Sequence, residues 1–360
     1  MGTFNIVVLP GDGIGPEVAA AGVSALKTIG DVFGHNFNFE EKRIGGIAID
    51  TDSNPYPEDT DKACLAADAV LLGAVGGPKW DLGKMRPEQG LLAVRKSMGL
   101  FANLRPMDVK ASQVHRSPLK AEIVEGADML IVRELTGGLY FGKRVRTETM
   151  ASDECVYTVE EVERVARVAF DAARKRRNKV TSVDKANVIE TSRLWRETVI
   201  RLHKEDYSDV ELEHNLVDSM AMHLVTRPKS FDVVLTENMF GDILSDLASV
   251  LPGSIGLLGS ASLGATGQES KTRGLYEPIH GSAPDIAGKD LANPIGTLKS
   301  VAMLLRFSLN LTREADALDA AIAVIVEKGL LTRDLGGTLA GSEVTKAIID
   351  QIRASASVAA

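Results

Sequence analysis

Short apolar runs of strand length alternate along the chain with stretches whose apolar residues recur every three to four positions, the pattern of an α/β protein. Phe4–Leu9 reads as a buried strand and Pro16–Ile29 as the helix after it. Further strands are predicted at Ala69–Gly73, Met129–Val132, Val180–Val183 and Phe231–Leu235, several running into polar or charged residues at their carboxyl ends. Helices are predicted over Val162–Arg177, over Asp242–Leu251 ahead of Pro252-Gly253, and over Ala317–Glu327 and Ser342–Ile352. The polar stretch Lys143–Val156 fits no helix and is left open between a β-arm and a surface loop, and the small-residue tail Ala354–Ala360 is expected to fray.

A length of 360 residues exceeds one ordinary core and predicts two domains. The formal charge of -8 argues against nucleic acid as the main partner, since phosphate binding calls for an excess of Lys and Arg. The basic run Arg174–Arg177 then reads as a solvated helix end favoured by the helix dipole. Two cysteines, Cys64 and Cys155, give no disulfide framework and fit a reducing compartment. No apolar run reaches membrane-spanning length and no leader is recognisable, so a cytoplasmic location is expected; a cleaved organelle transit peptide would leave no trace.

Gly11, Gly13 and Gly15 follow a strand and precede a helix, but the third glycine arrives one residue early for a dinucleotide fingerprint, and Pro16 follows it. A tight strand-to-helix turn, its backbone set by Asp12 and Pro16, is the better reading. Asp242 and Asp246 stand four apart on one helix, hence on one face; two adjacent like charges call for a cation, and a hard divalent ion takes oxygen ligands. Asp218 lies in the apolar stretch Val217–Val225, where an acid calls for a charged partner or a metal. Arg95, Arg105 and Arg133 sit near apolar or loop segments and carry the planar fork that matches carboxylates. Lys185, after a strand, is a candidate base, and Tyr140, between glycines, a candidate acid. The loop His280–Gly288 concentrates small residues with one imidazole and the acid Asp285, which suits a ribose diol and repels a 2′-phosphate.

The segments LPGDGIGPEV (9–18), GAVGGPKW (73–80), GLLAVRK (90–96), FANLRP (101–106), VRELTGGLYFG (132–142), VDKANV (183–188), VDSMAMHL (217–224), FGDILSDLAS (240–249) and EPIHGSAPDIAGK (277–289) together resemble one family across nearly the whole chain. It is the metal-dependent β-decarboxylating dehydrogenases of isocitrate and isopropylmalate. The resemblance implies a two-domain α/β fold that is not a Rossmann fold. One domain joins roughly residues 1–100 to 253–360 and carries the cofactor, NAD; the other, roughly 101–252, makes the contact of a homodimer. It assigns Mg²⁺ or Mn²⁺ to Asp218, Asp242 and Asp246, substrate carboxylates to Arg95, Arg105 and Arg133 with Asp218, and base and acid roles to Lys185 and Tyr140. Lys185 and Asp218 would reach the site from the partner subunit. Cofactor contacts carry over to Gly77, Glu88, His280, Gly281, Ser282, Ala283, Asp285, Ile286 and Asn293.

Glu88, Leu91 and Leu92 share one helix face, and the leucines suit an isopropyl group where isocitrate-oxidising relatives carry small polar residues. That points to the isopropylmalate branch, which serves leucine biosynthesis. Two departures stand out: the loop Trp80–Arg86 is a residue shorter than in some members, and Gln268–Arg273 reads as a small surface insertion. Siblings oxidising D-malate, tartrate or homoisocitrate are disfavoured by the leucine pair. A non-catalytic subunit is disfavoured by the presence of every acid, Lys185 and Tyr140.

Overall fold

A computed structural model of the protein describes residues 1–266 and 272–359. Most of the expected insertion therefore lies outside the described residues; Thr272 and Arg273 open the strand Thr272–Pro278. The chain forms two compact units, Met1–Leu100 with Ser254–Ala360, and Phe101–Gly253.

In the first unit the strands run in the order Asn36–Glu41, Thr3–Gly11, Ala69–Ala74, Thr272–Pro278, Gly259–Thr266. They are parallel except for the last pair, which is antiparallel. Every residue of Ala69–Ala74 is buried, as expected of a parallel strand covered on both faces. On one face Val7, Leu9, Val70, Leu72 and Leu275 pack with Ile44, Val94, Met98 and Leu100. The helix Pro87–Ser97 closes that side with Val94 and Leu91 inward.

The first glycine turn knits this unit together. Asp12 is buried, and its carboxylate accepts from the backbone N–H groups of Gly46 (2.8 Å), Ile47 (2.8 Å) and Gly76 (2.9 Å). Gly13 has φ +58°, and a Cβ there would stand 2.0 Å from the Ser282 carbonyl oxygen, so only glycine lets the turn meet that loop. Ile14 N–H donates to the same carbonyl at 2.8 Å. The glycines serve close packing of chain against chain.

The second unit orders its strands Ala102–Asp108, Asp128–Glu134, Val233–Thr236, Lys179–Asp184, Glu211–Leu216, the first antiparallel to its neighbour and the rest parallel. The helix expected from Asp242 begins earlier and spans Asn238–Ser249, because the Glu237 side chain accepts from Phe240 N–H at 2.7 Å and caps it. Lys143–Val156 resolves into a β-arm, Arg144–Arg146 paired antiparallel with Ala151–Asp153. The basic run is the exposed helix end that was expected, and it is also ion-paired, Arg174 to Asp209, Arg176 to Asp232 and Asp128, and Arg177 to Asp128. The terminal helix runs Gly341–Ala359 where fraying was expected. Among the described residues no helix is long and apolar enough to cross a membrane.

Replacing Asp12 by Ala removes the acceptor of three N–H donors, those of Gly46 and Gly76 buried and that of Ile47 partly so, and at about 1 kcal/mol for each buried one, unfolding stability should fall by roughly 2–3 kcal/mol. Urea denaturation of the variant checks this.

Candidate active site

In the second unit, parallel strands deliver the candidate residues at their carboxyl ends. Arg133 is the penultimate residue of Asp128–Glu134, and Lys185 follows Lys179–Asp184. Arg105 comes from the antiparallel strand beside them, two residues along from Arg133's partner Asn103. The capped helix Asn238–Ser249 puts Asp242 and Asp246 on one face, as their spacing requires.

Five predicted groups meet there. Arg133 donates through Nε and Nη2 to Asn238 Oδ1 (3.1 and 2.8 Å), and through Nη1 to Asp242. Arg105 donates to Asn103 (2.8 Å) and Ser245 (2.6 Å), and its guanidinium lies 3.5 Å from Asp246 and 3.9 Å from Asp242. Tyr140 donates its hydroxyl to Asp242 Oδ2 at 3.0 Å, and the Arg133 guanidinium sits 5.8 Å from its ring centre. Both arginines are buried, while the Asp246 side chain is 63% exposed at the mouth. Burial pushes the Tyr140 phenol up, and the Asp242 charge adds to it, so the group keeps its proton through the neutral range. Burial likewise raises the Asp246 carboxyl, with Arg105 opposing and Asp242 reinforcing.

Lys185 and Asp218 form a separate pair, Nζ to Oδ1 at 2.5 Å. Asp218 is exposed in the first turn of the helix Val217–Thr226, contrary to the burial its apolar neighbours suggested, because Val217 and Ser219 to either side leave that turn at the surface. Its carboxylate is held below the usual range by the Lys185 hydrogen bond. Asp184, next to Lys185, is buried and gripped by the Arg196 fork, 2.8 Å to each oxygen. Among the described residues no three His, Cys, Asp or Glu side chains of one chain gather as a metal set.

In the first unit Arg95 is buried and donates to Glu277 at 2.8 Å, leaving its Nε without a partner. Leu92 is half-buried outside the main core cluster, whereas Leu91 packs partly against it. Glu88 Oε1 and Ser282 Oγ both approach Gly76, which precedes Gly77. The His280 ring is pushed down by burial and thus neutral; Nδ1 lies 2.9 Å from the Gly281 carbonyl, and Nε2 is buried with no partner. Ala283, Ile286 and Ala287 pack on Ile14, Val18 and Ala292 as an apolar shelf. Asp285 is exposed beside it. The Asn293 side chain is already engaged, donating to Asp334 (2.9 Å) and accepting from Ile295 N–H (3.0 Å).

Sequence reasoning missed Asn103, Asn238 and Ser245, which aim the two arginines, and Glu277, which holds Arg95. Only Asn103 lies near its arginine in sequence; the other partners are over a hundred positions away, so no local spacing could have shown them.

The sequence matches the isocitrate/isopropylmalate dehydrogenase family model over residues 5–352, and the chain belongs to that family. It is 53% identical to a 3-isopropylmalate dehydrogenase of Geobacillus kaustophilus, covering 98% of this chain and 95% of the relative. A second relative of that name, from Priestia megaterium, is 56% identical over 92% of this chain and 90% of its own length. The fold superimposes on the crystal structure of isocitrate dehydrogenase from Methylococcus capsulatus with a TM-score of 0.86 at 32% identity, covering 97% of this chain and 99% of that one.

Proposed function

We propose that this chain is a 3-isopropylmalate dehydrogenase. It oxidises (2R,3S)-3-isopropylmalate with NAD and releases the β-carboxyl as CO₂, giving 4-methyl-2-oxopentanoate in leucine biosynthesis. One observation carries the reading: two buried arginine forks and a protonated phenol surround a pair of carboxylates one helical turn apart. Relatives of that name at more than half identity over nearly full length support it.

Asp242 and Asp246 of one protomer, with the partner subunit's Asp218, would hold Mg²⁺ or Mn²⁺; an all-oxygen set of this kind suits a hard cation. The shelf of Ile14, Ala283 and Ile286 would take an adenine, the exposed Asp285 the ribose hydroxyls, and the unpartnered His280 Nε2 and the Gly77–Glu88 side further cofactor contacts. When bound, the divalent ion supplies Lewis acidity to the 2-hydroxyl oxygen and NAD accepts the hydride. The protein's own groups do the rest. Arg95, Arg105 and Arg133 clamp the carboxylates and orient the bond that breaks. Lys185 removes the hydroxyl proton, and Tyr140, protonated at neutral pH, delivers its own to the enol carbon.

A homodimer makes the set complete. The helices bearing the acids also expose apolar residues, Met222 (60%) and Val225 (37%) on one, Ile243 (59%) on the other. Pairing those faces between two copies removes them from water and is how Lys185 and Asp218 would reach the partner's Asp242. Work in the cytoplasm suits the two free cysteines.

Purified protein with Mg²⁺, NAD and isopropylmalate should produce NADH, and a chelator should abolish the signal; unaltered production with chelator present would sink the metal assignment. Lys185→Ala or Tyr140→Phe should each lower turnover by about 10²- to 10⁴-fold. Mixing the Lys185→Ala and Asp242→Asn proteins after joint refolding should restore activity toward about one quarter of normal, because a mixed dimer keeps one intact site. No recovery on mixing would refute shared sites. Serine at both Leu91 and Leu92 should shift relative kcat/KM from isopropylmalate toward malate or isocitrate; equal ratios in a substrate panel would refute the pocket.

A further inference from the structure

Behind the arginine and tyrosine pair lies a buried group of acids that the proposed reaction does not use. Tyr157 is 6% exposed, and its hydroxyl oxygen stands 3.3 Å from Glu134 Oε2 and 3.3 Å from Glu237 Oε2, two carboxyls that are themselves 0% and 7% exposed. The same oxygen accepts from Asn238 N–H at 2.9 Å.

A phenol carries one hydrogen, so it can donate to only one of the two carboxyls. The other contact becomes a full hydrogen bond, rather than a share in one bifurcated O–H, if that carboxyl brings its own proton. The phenol oxygen then accepts twice, from Asn238 N–H and from the acid, which fills its capacity. The remaining donors decide which acid that is. Glu134 accepts from Thr136 N–H (2.8 Å), Thr136 hydroxyl (3.1 Å) and Gly137 N–H (2.8 Å), with Arg164 at 3.5 Å, all of which favour a carboxylate. Glu237 Oε1 accepts from Phe240 N–H, but its Oε2 meets only the phenol.

We infer that Glu237 holds a proton on Oε2 and donates it to Tyr157, and that the Glu237–Tyr157–Glu134 bridge is a positioning device for Arg133 and Tyr140. This rests on the reading of those two groups as substrate-facing. Burial drives both carboxyls upward, in keeping with one shared charge. The other charged or titratable groups facing the bridge are Arg133, Tyr140, Cys155 and Arg164.

The line of force is short. The bridge fixes Tyr157, and Tyr157 fixes the Asn238 backbone. Asn238 Oδ1 takes both Nε and Nη2 of Arg133, while its Nδ2 donates to the Gly137 carbonyl at 3.2 Å. Gly138 has φ +70°, and a Cβ there would lie 2.5 Å from the phenol oxygen; the chain bends tightly over the ring on its way to Tyr140. Ionising Glu237 would put two anions on one phenol that has a single hydrogen to offer and open this joint.

The infrared difference between wild type and Glu237→Gln at neutral pH reads the proton directly. Loss of a protonated-carboxyl stretch in the variant is expected; loss of a carboxylate stretch instead overturns the proposal. Glutamine still donates toward the phenol, so Glu237→Gln should keep kcat and substrate KM within about threefold of wild type, whereas Glu237→Ala and Tyr157→Phe should raise substrate KM by about tenfold with cofactor KM unchanged. A normal substrate KM in Tyr157→Phe, or an equal rise in cofactor KM, refutes positioning. Should Tyr157→Phe fail to fold, Glu237→Ala and the spectra decide. An Arg133→Lys protein with unaltered substrate KM would sink the reading of the site itself while leaving the infrared result intact.

Discussion

The second unit is organised around a balance of charge: two buried guanidinium groups set against two carboxylates on the next helix. Neither half is stable alone. Arg105 and Arg133 are stripped of most of their water and need acceptors, and Asp242 and Asp246, one turn apart, repel each other unless cations stand between them. In the isolated chain the arginines meet that need, helped by Asn103, Asn238 and Ser245. Under the proposed reading, a dianionic ligand would offer the arginines other acceptors and free the aspartates for a divalent ion. Such a site would exchange one set of partners for another without leaving any charge bare.

That exchange demands a scaffold that does not move with it. The Asn238–Ser249 helix starts where the Glu237 side chain caps it, and the same residue faces Tyr157. The strand Asp128–Glu134 ends in Arg133 and then Glu134, one turned to the site and the other to the buried bridge. Adjacent residues on one strand thus serve opposite faces, which is the period-two geometry of a strand applied to two charged groups. The first unit uses the same economy at Asp12, where one carboxylate ties three backbone segments together and leaves the loop at His280 resting on the glycine turn.

How much of this was readable from sequence follows the range of each interaction. The parallel strands and their helices declare themselves by local periodicity, and Asp242 with Asp246 by helical spacing. The glycine turn betrays its packing role by one misplaced residue. Helix ends were less legible, since Glu237 caps a helix four residues before its apolar pattern becomes clear. The exposure of Asp218 was not legible, because apolar neighbours in sequence need not be neighbours in space; the charged partner it called for is Lys185. The ion pairs of the basic run were not legible because its acids, Asp128, Asp209 and Asp232, lie on other elements. The Tyr157 bridge joins residues 134, 157 and 237, a separation no sequence window spans.

The Arg95–Glu277 pair has an effect on what the protein ignores. With its charge already cancelled by a resident carboxylate, Arg95 offers little to stray sulfate, phosphate or small monocarboxylates, which cannot outcompete an anion tethered at 2.8 Å. If Arg95 serves the substrate as proposed, only a ligand anchored by other groups at the same time would gain enough to share that guanidinium.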